Sequence, residues 1–300
     1  MNRFKEIKKL ATIDIGSNAI RLLISNIIIR NNYPPQSTKN ALIRVPIRLG
    51  QDAFTQGRIT EENILRLIDS MTSFKLLMKV HKVEKYLAYA TSALRSSSNG
   101  LEIVSLVKSK TGISIKIIDG KKEGALITKN KIFNNKNNLD TFCFIDVGGG
   151  STELTIFKNG KILKTKSFKI GGVRLINELV SEKTWKTFHF WITNNLKKYK
   201  KIRVIGLGGN INKIFKISEI EIGSPLSLKN LNLIISKLER MSDVDKILVL
   251  KLNPDRSDVI VPAGKIYQFL LNSINENQIE VPKIGLADGM VSELLRKLKS

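Results

Sequence analysis

The sequence predicts a duplicated mixed α/β protein, two halves of similar build that each open on a β-hairpin. Three observations predict it. The segment Thr12-Ile13-Asp14-Ile15-Gly16-Ser17-Asn18-Ala19-Ile20-Arg21-Leu22 returns without a gap as Phe144-Ile145-Asp146-Val147-Gly148-Gly149-Gly150-Ser151-Thr152-Glu153-Leu154. In both copies an apolar run ends in Asp, turns through Gly and small polar residues, and resumes as a second apolar run, the pattern of a hairpin. After the first copy the elements read strand, strand, strand, helix, strand, helix, strand, a mixed α/β order. The length, 300 residues, suits about two domains.

Each element has its own signal. The first hairpin reaches about Ile29. The polar stretch with Pro34-Pro35 reads as a loop at a sheet edge, because Pro donates no ladder hydrogen bond, and Leu42 to Leu49 alternates as a third strand. From Thr60, an N-cap residue, Ile64, Leu67, Ile68, Met71, Phe74, Leu77 and Met78 recur at helical spacing. Val83 to Ala90 reads as a strand, Leu101 to Lys110 as a helix, and Ile113 to Ile118 as a strand. In the second half Phe142 to Val147, Glu153 to Lys158 and Lys161 to Lys169 read as strands, and Gly172 to Val180 and Lys183 to Lys198 as helices. Arg203 to Gly206 is a strand running into Leu207-Gly208-Gly209-Asn210-Ile211-Asn212 and a further helix. The remainder is largely helical and ends in an amphipathic helix over Gly285 to Lys299.

The domain boundary falls between Ile118 and Thr141. There, Lys129 to Asn138 is rich in Asn and Lys and reads as a helix end and a solvated loop. The expected domains are 1–122, rejoined by the C-terminal helix 286–300, and 123–285, with a ligand crevice between the similar halves.

Composition excludes several classes. Hydrophobic residues are 42% and charged residues 25%, a globular rather than a disordered balance. The net charge of +24, from 50 Lys+Arg against 26 Asp+Glu, draws polyanions toward the chain; its richness in Asn and Ile makes compositional bias an equal explanation. The basic runs Lys8-Lys9, Lys121-Lys122 and Lys197 to Lys201 are short, and no nucleic-acid module accompanies them, so no specific nucleic-acid partner is expected. Cys143 is the only cysteine, which excludes an internal disulfide and a Cys-based zinc site and leaves a small buried core residue. His81 and His189 stand too far apart to suggest a ligand pair. Trp185 and Trp191 read as core or groove residues, without the basic and aromatic interleaving of a stacking platform. Charges occupy the first ten residues where a signal peptide needs apolar ones, and no stretch approaches the roughly 20 apolar residues of a membrane span. A cytoplasmic protein with no membrane partner is the expectation.

The repeated turn carries the chemistry. Asp14 and Asp146 each end a strand just before glycine, and carboxylates are the ligands of Mg²⁺, which keeps waters and bridges to phosphate oxygens; the plainer reading is an Asp that caps its turn. Gly16-Ser17-Asn18 and Gly148-Gly149-Gly150-Ser151 let successive N–H groups point at one anion. A Rossmann loop fits poorly, since strands follow both turns. Arg21 and Glu153 hold equivalent positions: the first offers a fork of donors to phosphate, while the second would repel phosphate unless it held a metal ion or water. Thr91, Ser92 and Arg95 follow a strand where a helix begins, a place that favours an anion, although Ser and Thr are equally common as plain caps.

Taken together, IDIGSNAIRLLI, YATSALRSSSNG, IDGKKEGALI, FIDVGGGSTELTIF and GGVRL closely resemble the exopolyphosphatase/guanosine pentaphosphate phosphohydrolase family, in a short two-domain form. The resemblance spans nearly the whole chain. It implies two ribonuclease-H-like domains of the acetate and sugar kinase, Hsp70 and actin superfold, an interdomain cleft, and Mg²⁺-dependent hydrolysis of a terminal phosphoanhydride. Position by position, Glu123 matches the catalytic glutamate, and Asp146 and Glu153 match acidic residues near metal and water. Asp14, Ser17, Asn18, Arg21, Thr91, Arg95 and Gly148 to Ser151 match the phosphate-binding loops; Asp14, Asp146 and Glu153 are the implied metal ligands. Read without the family, Glu123 is an ordinary helix-start residue.

The chain departs from the family at two places. Lys122 stands where relatives often carry a second acid, and its charge favours ionised Glu123. Gly208 to Asn212 replaces a Gly-Thr type loop, which bears on nucleotide recognition.

The expected substrate is polyphosphate or a phosphorylated guanosine nucleotide, and the expected assembly a homodimer. A kinase of the same superfold is disfavoured by the hinge glutamate and by the altered loop. A non-catalytic polyphosphate or alarmone binder is the alternative function.

Overall fold

The computed structural model describes residues 6–128 and 140–297. The segment Lys129 to Asn138, read above as a helix end and loop, lies outside the described residues. In chain order the elements are β1 Glu6–Ile15, β2 Ile20–Arg30, β3 Tyr33–Val45, α1 Leu49–Thr55, α2 Glu61–Val80, β4 Lys85–Ala90, α3 Ser92–Ser96, α4 Gly100–Thr111, β5 Lys116–Ile117 and α5 Gly120–Thr128. There follow β6 Thr141–Val147, β7 Thr152–Lys158, β8 Lys161–Phe168, α6 Gly172–Ile176, α7 Glu182–Leu196, β9 Ile202–Leu207, α8 Gly209–Ile217, β10 Leu226–Ser227, α9 Leu228–Arg240, α10 Asp243–Leu248, α11 Pro254–Ser257, α12 Ile260–Ile274, β11 Gln278–Ile279 and α13 Leu286–Lys297. The chain divides into two compact units, Met1–Asp119 with Leu286–Ser300, and Gly120–Gly285.

The first unit is built on a sheet of order β3-β2-β1-β4-β5. β1 and β2 form the predicted hairpin, and β4 and β5 add in parallel. The helix α13 lies on one face, where Ala287, Val291 and Leu294 pack with Leu10, Leu23 and Ile27. Polar residues finish that packing: Thr12 Oγ1 donates to the Ala287 carbonyl at 3.2 Å, and the Tyr89 hydroxyl donates to Glu293 Oε1 at 2.6 Å.

Two expectations about this unit are corrected. Pro34 and Pro35 belong to β3 and not to a loop, because β3 is an edge strand and a ladder irregularity falls between Ile28 and Arg30 opposite them, so neither proline needs an inward N–H. The third strand stops at Val45, and Leu49 instead begins α1. Asp52 of α1 ties the next helix down, accepting from Thr60 N at 3.0 Å, Thr60 Oγ1 at 2.6 Å and Asn63 Nδ2 at 2.8 Å.

The second unit repeats the plan with a sheet of order β8-β7-β6-β9. A short parallel bridge, Ile205 to Glu280, extends it beyond β9, with Glu280 N donating to Val204 O at 2.9 Å and Gly206 N to Glu280 O at 2.8 Å. Arg203 anchors this edge through Glu280, Nε to Oε1 at 2.6 Å and Nη2 to Oε2 at 2.8 Å. The order of the first unit, hairpin and edge strand on one side and parallel strands on the other, therefore recurs. Both units therefore have a ribonuclease-H-like strand order.

The two faces of the second sheet are covered differently. Cys143, Ile145, Leu154, Ile156 and Val204 meet Phe188 of α7, Ile235 of α9 and Tyr267 of α12 in a large apolar core. On the other face Phe142, Phe144, Phe157, Ile205 and Leu207 meet Ile127 of α5. Among the described residues no helix is long and apolar enough to cross a membrane.

Candidate active site

Both repeated turns are closed by the same bond. Gly16 N donates to Ala19 O at 3.2 Å, and Gly148 N to Ser151 O at 2.9 Å. In each turn the carbonyls are then tied from behind. In the first, Gly50 N donates to Ser17 O at 2.7 Å and Arg48 N, itself in the left-handed region at φ 60°, to Asn18 O at 3.1 Å. In the second, Gly172 N reaches Gly148 O at 3.0 Å, Val173 N reaches Gly149 O at 2.8 Å, and Arg174 Nε reaches Gly150 O at 2.8 Å. Across a planar trans peptide the carbonyl of one residue and the N–H of the next point in opposite directions. Tying the carbonyls therefore aims the N–H groups of Asn18 and Ala19, and of Gly149, Gly150 and Ser151, away from the strap that holds them. Such convergent N–H groups make an anion-binding concavity.

The two turns differ in charge. Asp14 and Arg21 face each other in the β1–β2 register and form an ion pair, Arg21 Nη1 to Asp14 Oδ2 at 2.7 Å. Asp146 faces Glu153 in the β6–β7 register. Their carboxylates lean to opposite sides: Glu153, only 3% exposed, accepts from Ser167 Oγ on β8 at 2.7 Å, while Asp146 Oδ1 lies against Gly208, which takes a φ of 102° at the end of β9.

The helix that carries Glu123, α5, packs on the sheet of the second unit. A Cβ on Gly124 would stand 2.5 Å from Thr155 Oγ1, and one on Gly120 would stand 2.3 Å from Ser167 Cβ and 3.3 Å from Glu153 Oε1. Two glycines a helical turn apart thus let α5 press onto β7 and β8. Ile127 seals the apolar end of that face, and Glu123, one turn earlier on the helix, is buried at 8% exposure.

The remaining predicted residues gather at the top of the first sheet. Ser17 Oγ is 2.8 Å from Ser92 Oγ, both buried. Thr91 is buried, with its N–H on Ile15 O at 3.1 Å. Arg95 donates Nη1 to the Ile118 carbonyl.

Sequence reading missed several supports. Arg174 lies in the quoted GGVRL motif, but its tie to Gly150 is a contact across the fold; burial lowers its pKa. Tyr267 donates its hydroxyl to the Leu207 carbonyl beside Asp146, and burial, with the Asp146 charge second, raises its pKa well above the ordinary tyrosine value. Arg256 of α11 donates to Gly209 O at 3.1 Å. His189 serves no ligand cluster, its Nδ1 lying 3.2 Å from Ser273 Oγ. Among the described residues no group of three or more His, Cys, Asp or Glu is placed to hold a metal ion. The pair Asp146 and Glu153 still suits Mg²⁺, an oxygen-seeking ion that takes one or two protein carboxylates and completes its shell with water and phosphate.

Comparison with known proteins decides the family. The model of the Ppx/GppA phosphatase family matches residues 41–298. The chain belongs to that family. It is 27% identical to the bifunctional 3-dehydroquinate synthase/phosphatase of Fusobacterium nucleatum over 98% of its own length and 47% of that protein, so it spans about half of that relative. It is 22% identical to exopolyphosphatase 1 of Mycobacterium bovis over 97% of its own length and 89% of the other. Among solved structures, an exopolyphosphatase from Cytophaga hutchinsonii superposes with a TM-score of 0.83 at 25% identity, covering 97% of this chain and 98% of that one. The Aquifex aeolicus member of the Ppx/GppA family has the same fold, with a TM-score of 0.77 at 24% identity over 98% of this chain and all of the other.

Proposed function

We propose that this Ppx/GppA family member is a hydrolase that releases terminal phosphate from inorganic polyphosphate or from guanosine pentaphosphate. What supports the reading is that α5, which carries the buried Glu123, packs through Gly120 and Gly124 against Glu153, Thr155 and Ser167, and that Glu153 stands opposite Asp146 just before a turn whose N–H groups are aimed outward. Phosphoryl transfer to water asks for little covalent chemistry and much positioned charge. Glu123 orients the attacking water and takes its proton, a role worth roughly 10²–10⁴-fold in rate. The N–H groups of Gly149, Gly150 and Ser151 hold the phosphoryl oxygens, and Ser167 fixes Glu153. Asp146 and Glu153 would hold Mg²⁺, with Asp14 a further candidate; when bound, the ion neutralises charge on the phosphate oxygens. The turn of the first unit, with Ser17, Asn18, Arg21, Thr91 and Arg95 around it, is read as a phosphate-binding site in its own right. A cytoplasmic location and a homodimer go with this reading, the latter checked by sedimentation.

The test is phosphate release from long polyphosphate, short polyphosphate and guanosine pentaphosphate by the wild type and Glu123→Gln, with and without Mg²⁺. A fall of about 10²-fold or more in kcat is expected for the variant. Undiminished turnover removes Glu123 from the mechanism, and binding without release from any substrate turns the reading toward a phosphate-chain binder.

A further inference from the structure

Basic residues that lie apart in the sequence meet on one surface of the second unit. β7 and β8 are joined by a turn of two residues, Asn159 and Gly160, both at positive φ. Lys158 and Lys161 therefore stand directly opposite each other, with Cβ atoms about 4.5–5.5 Å apart. Lys158 Nζ lies 5.7 Å from the centre of the Tyr199 ring, and Lys198 Nζ lies 5.4 Å from the same ring. Further along β8, Lys164 Nζ donates to Asn195 Oδ1 of α7 at 2.7 Å, and Lys166 Nζ sits 5.3 Å from the Phe168 ring. Lys164 and Lys166 face Ile156 and Leu154 across the ladder, both of them in the α7 core. These lysines thus form one strip on the α7 face of the sheet, the face away from α5.

The strip has no acid to balance it. From Leu154 to Asn177 and from Lys183 to Gly208 the chain carries thirteen Lys and Arg and no Asp or Glu, where the whole chain has 50 against 26. A Lys-rich composition alone would scatter several acids among them, so bias of composition does not account for the strip. Asp140, at the start of β6, is engaged by Arg203 at 3.1 Å. Among the described residues Lys158, Lys161, Lys164, Lys166 and Lys198 form no ion pair. A lysine just past α7 gains from the helix dipole, and lysines on an edge strand such as β8 deter strand pairing. Neither reason covers Lys158, which is half-buried on an inner strand and directly opposite another cation, an arrangement that destabilises a strand pair.

An anion laid along the strip offsets that repulsion. The strip offers compact ammonium charges and no open aromatic face, since Tyr199 packs against the core with two lysines over its ring and Phe168 is buried. Single-stranded nucleic acid is held by aromatic platforms on which its bases stack. A bare chain of phosphates asks only for charge.

We propose that this lysine strip is a second anion site, which holds the far part of a long polyphosphate whose end lies at the turn of Gly149 and Gly150. The inference rests on the phosphate-chain reading and adds to it a preference for length. β7 is seven residues long, so its hairpin end lies roughly 20 Å from the glycine turn. Tripolyphosphate is too short to occupy both places, whereas a long chain held at one is presented to the other at high effective concentration. Lysines that only guard the β8 edge make a different forecast: their loss causes self-association and leaves affinity unchanged.

The experiment uses the full chain in three forms. They are the wild type, a strip variant with Lys161→Gln, Lys166→Gln and Lys198→Gln, and a control with Lys75→Gln, Lys108→Gln and Lys110→Gln, which loses the same charge from exposed lysines of the first unit. Affinity for long polyphosphate, tripolyphosphate and a single-stranded oligonucleotide of like charge is measured by calorimetry across a salt series, with KM and kcat on both phosphate substrates. In the strip variant the affinity for long polyphosphate is expected to fall about tenfold, within the reach of three exposed charge contacts. Its salt slope falls by about 2, at roughly 0.7 per contact. KM on long polyphosphate rises similarly, kcat holds, and affinity and KM for tripolyphosphate stay level. The control keeps wild-type values. Wild-type affinity for long polyphosphate in the strip variant overturns the proposal, and so does an equal loss in the control, which assigns the effect to net charge. An oligonucleotide that binds more tightly than long polyphosphate, and loses that affinity in the strip variant, overturns it in favour of nucleic acid. Should the strip variant self-associate or fail to fold, Lys198→Gln alone, off the β8 edge, decides: a loss of about twofold is expected, and no loss overturns the proposal. A wild type that binds long polyphosphate but releases no phosphate sinks the hydrolase reading and leaves the affinity test of the strip intact.

Discussion

Gly171→Ala isolates the strap that builds the second phosphate turn. Gly171 precedes α6 in extended backbone, φ −165°, a conformation any residue adopts, so the substitution adds one methyl group and no backbone strain. That methyl would stand 2.5 Å from Gly149 O, 2.6 Å from Gly149 C and 2.7 Å from Gly150 N. All three are backbone atoms of the turn and cannot swing aside. Ordinary contact begins near 3.4 Å, so the turn and α6 must part by about 0.9 Å, 3.4 less 2.5. A shift near 1 Å at a site of positioned charge costs roughly 10²-fold in rate, while overpacking of this kind costs about 1–3 kcal/mol in stability. Steady-state phosphate release and urea denaturation on the same preparation read both. The expected result is a kcat/KM lower by about 10²-fold in a protein that still unfolds cooperatively. Wild-type kcat/KM and wild-type stability together would refute the account of how α6 backs the turn.

Asp52→Ala removes the acceptor of three bonds at the start of α2, and is expected to cost about 1–3 kcal/mol in urea denaturation with kcat retained. Tyr267→Phe leaves the Leu207 carbonyl without its hydroxyl donor beside Asp146 and Gly208; a loss of roughly 1–3 kcal/mol is expected, with kcat falling more than KM changes. Burial pushes the Cys143 thiol up to about 12 from 9.0, so at pH 8 the native thiol is protonated and should react with Ellman's reagent only through opening of the fold. With the folded value raised, the stability held by the neutral thiol is full below pH 9 and is lost as pH rises toward 12; Cys143→Ala should flatten that alkaline limb of a chemical-denaturation series.

The hairpins were legible because a two-residue period broken by Asp and Gly has few other readings, and α2 because its apolar stripe and Thr60 cap agree. What misled was local context. Ile47 and Leu49 alternate like a strand, but Leu49 opens a helix of seven residues whose N-cap, Arg48, makes no side-chain capping bond, so no start signal exists to be read. Pro34 and Pro35 argue for a loop only where a strand must donate on both sides. The bridge at Glu280 is too short to carry a period. In the candidate site, the acids and glycines of the turn stood out by repetition, whereas Ser167, Arg174 and Tyr267 act through contacts made across the fold. Gly171 was visible only as part of a motif, since nothing in a sequence tells that its missing side chain is the space occupied by another turn.

The charge on the two turns gives the duplicated frame its direction. In the first unit the residue opposite the aspartate is Arg21, and the two form an ion pair at 2.7 Å. In the second unit the equivalent position is Glu153, so two carboxylates share one face of one hairpin. Like charges held close and partly buried persist when a cation, a proton or strong donors accompany them. Ser167 supplies one donor to Glu153, and Asp146 Oδ1 lies toward Gly208. The same backbone turn, tied from behind in both units, therefore presents an anion site beside cations in one and beside anions in the other. On this contrast rests the proposal that Asp146 and Glu153 hold the metal, and Glu123 orients the water, in the second unit.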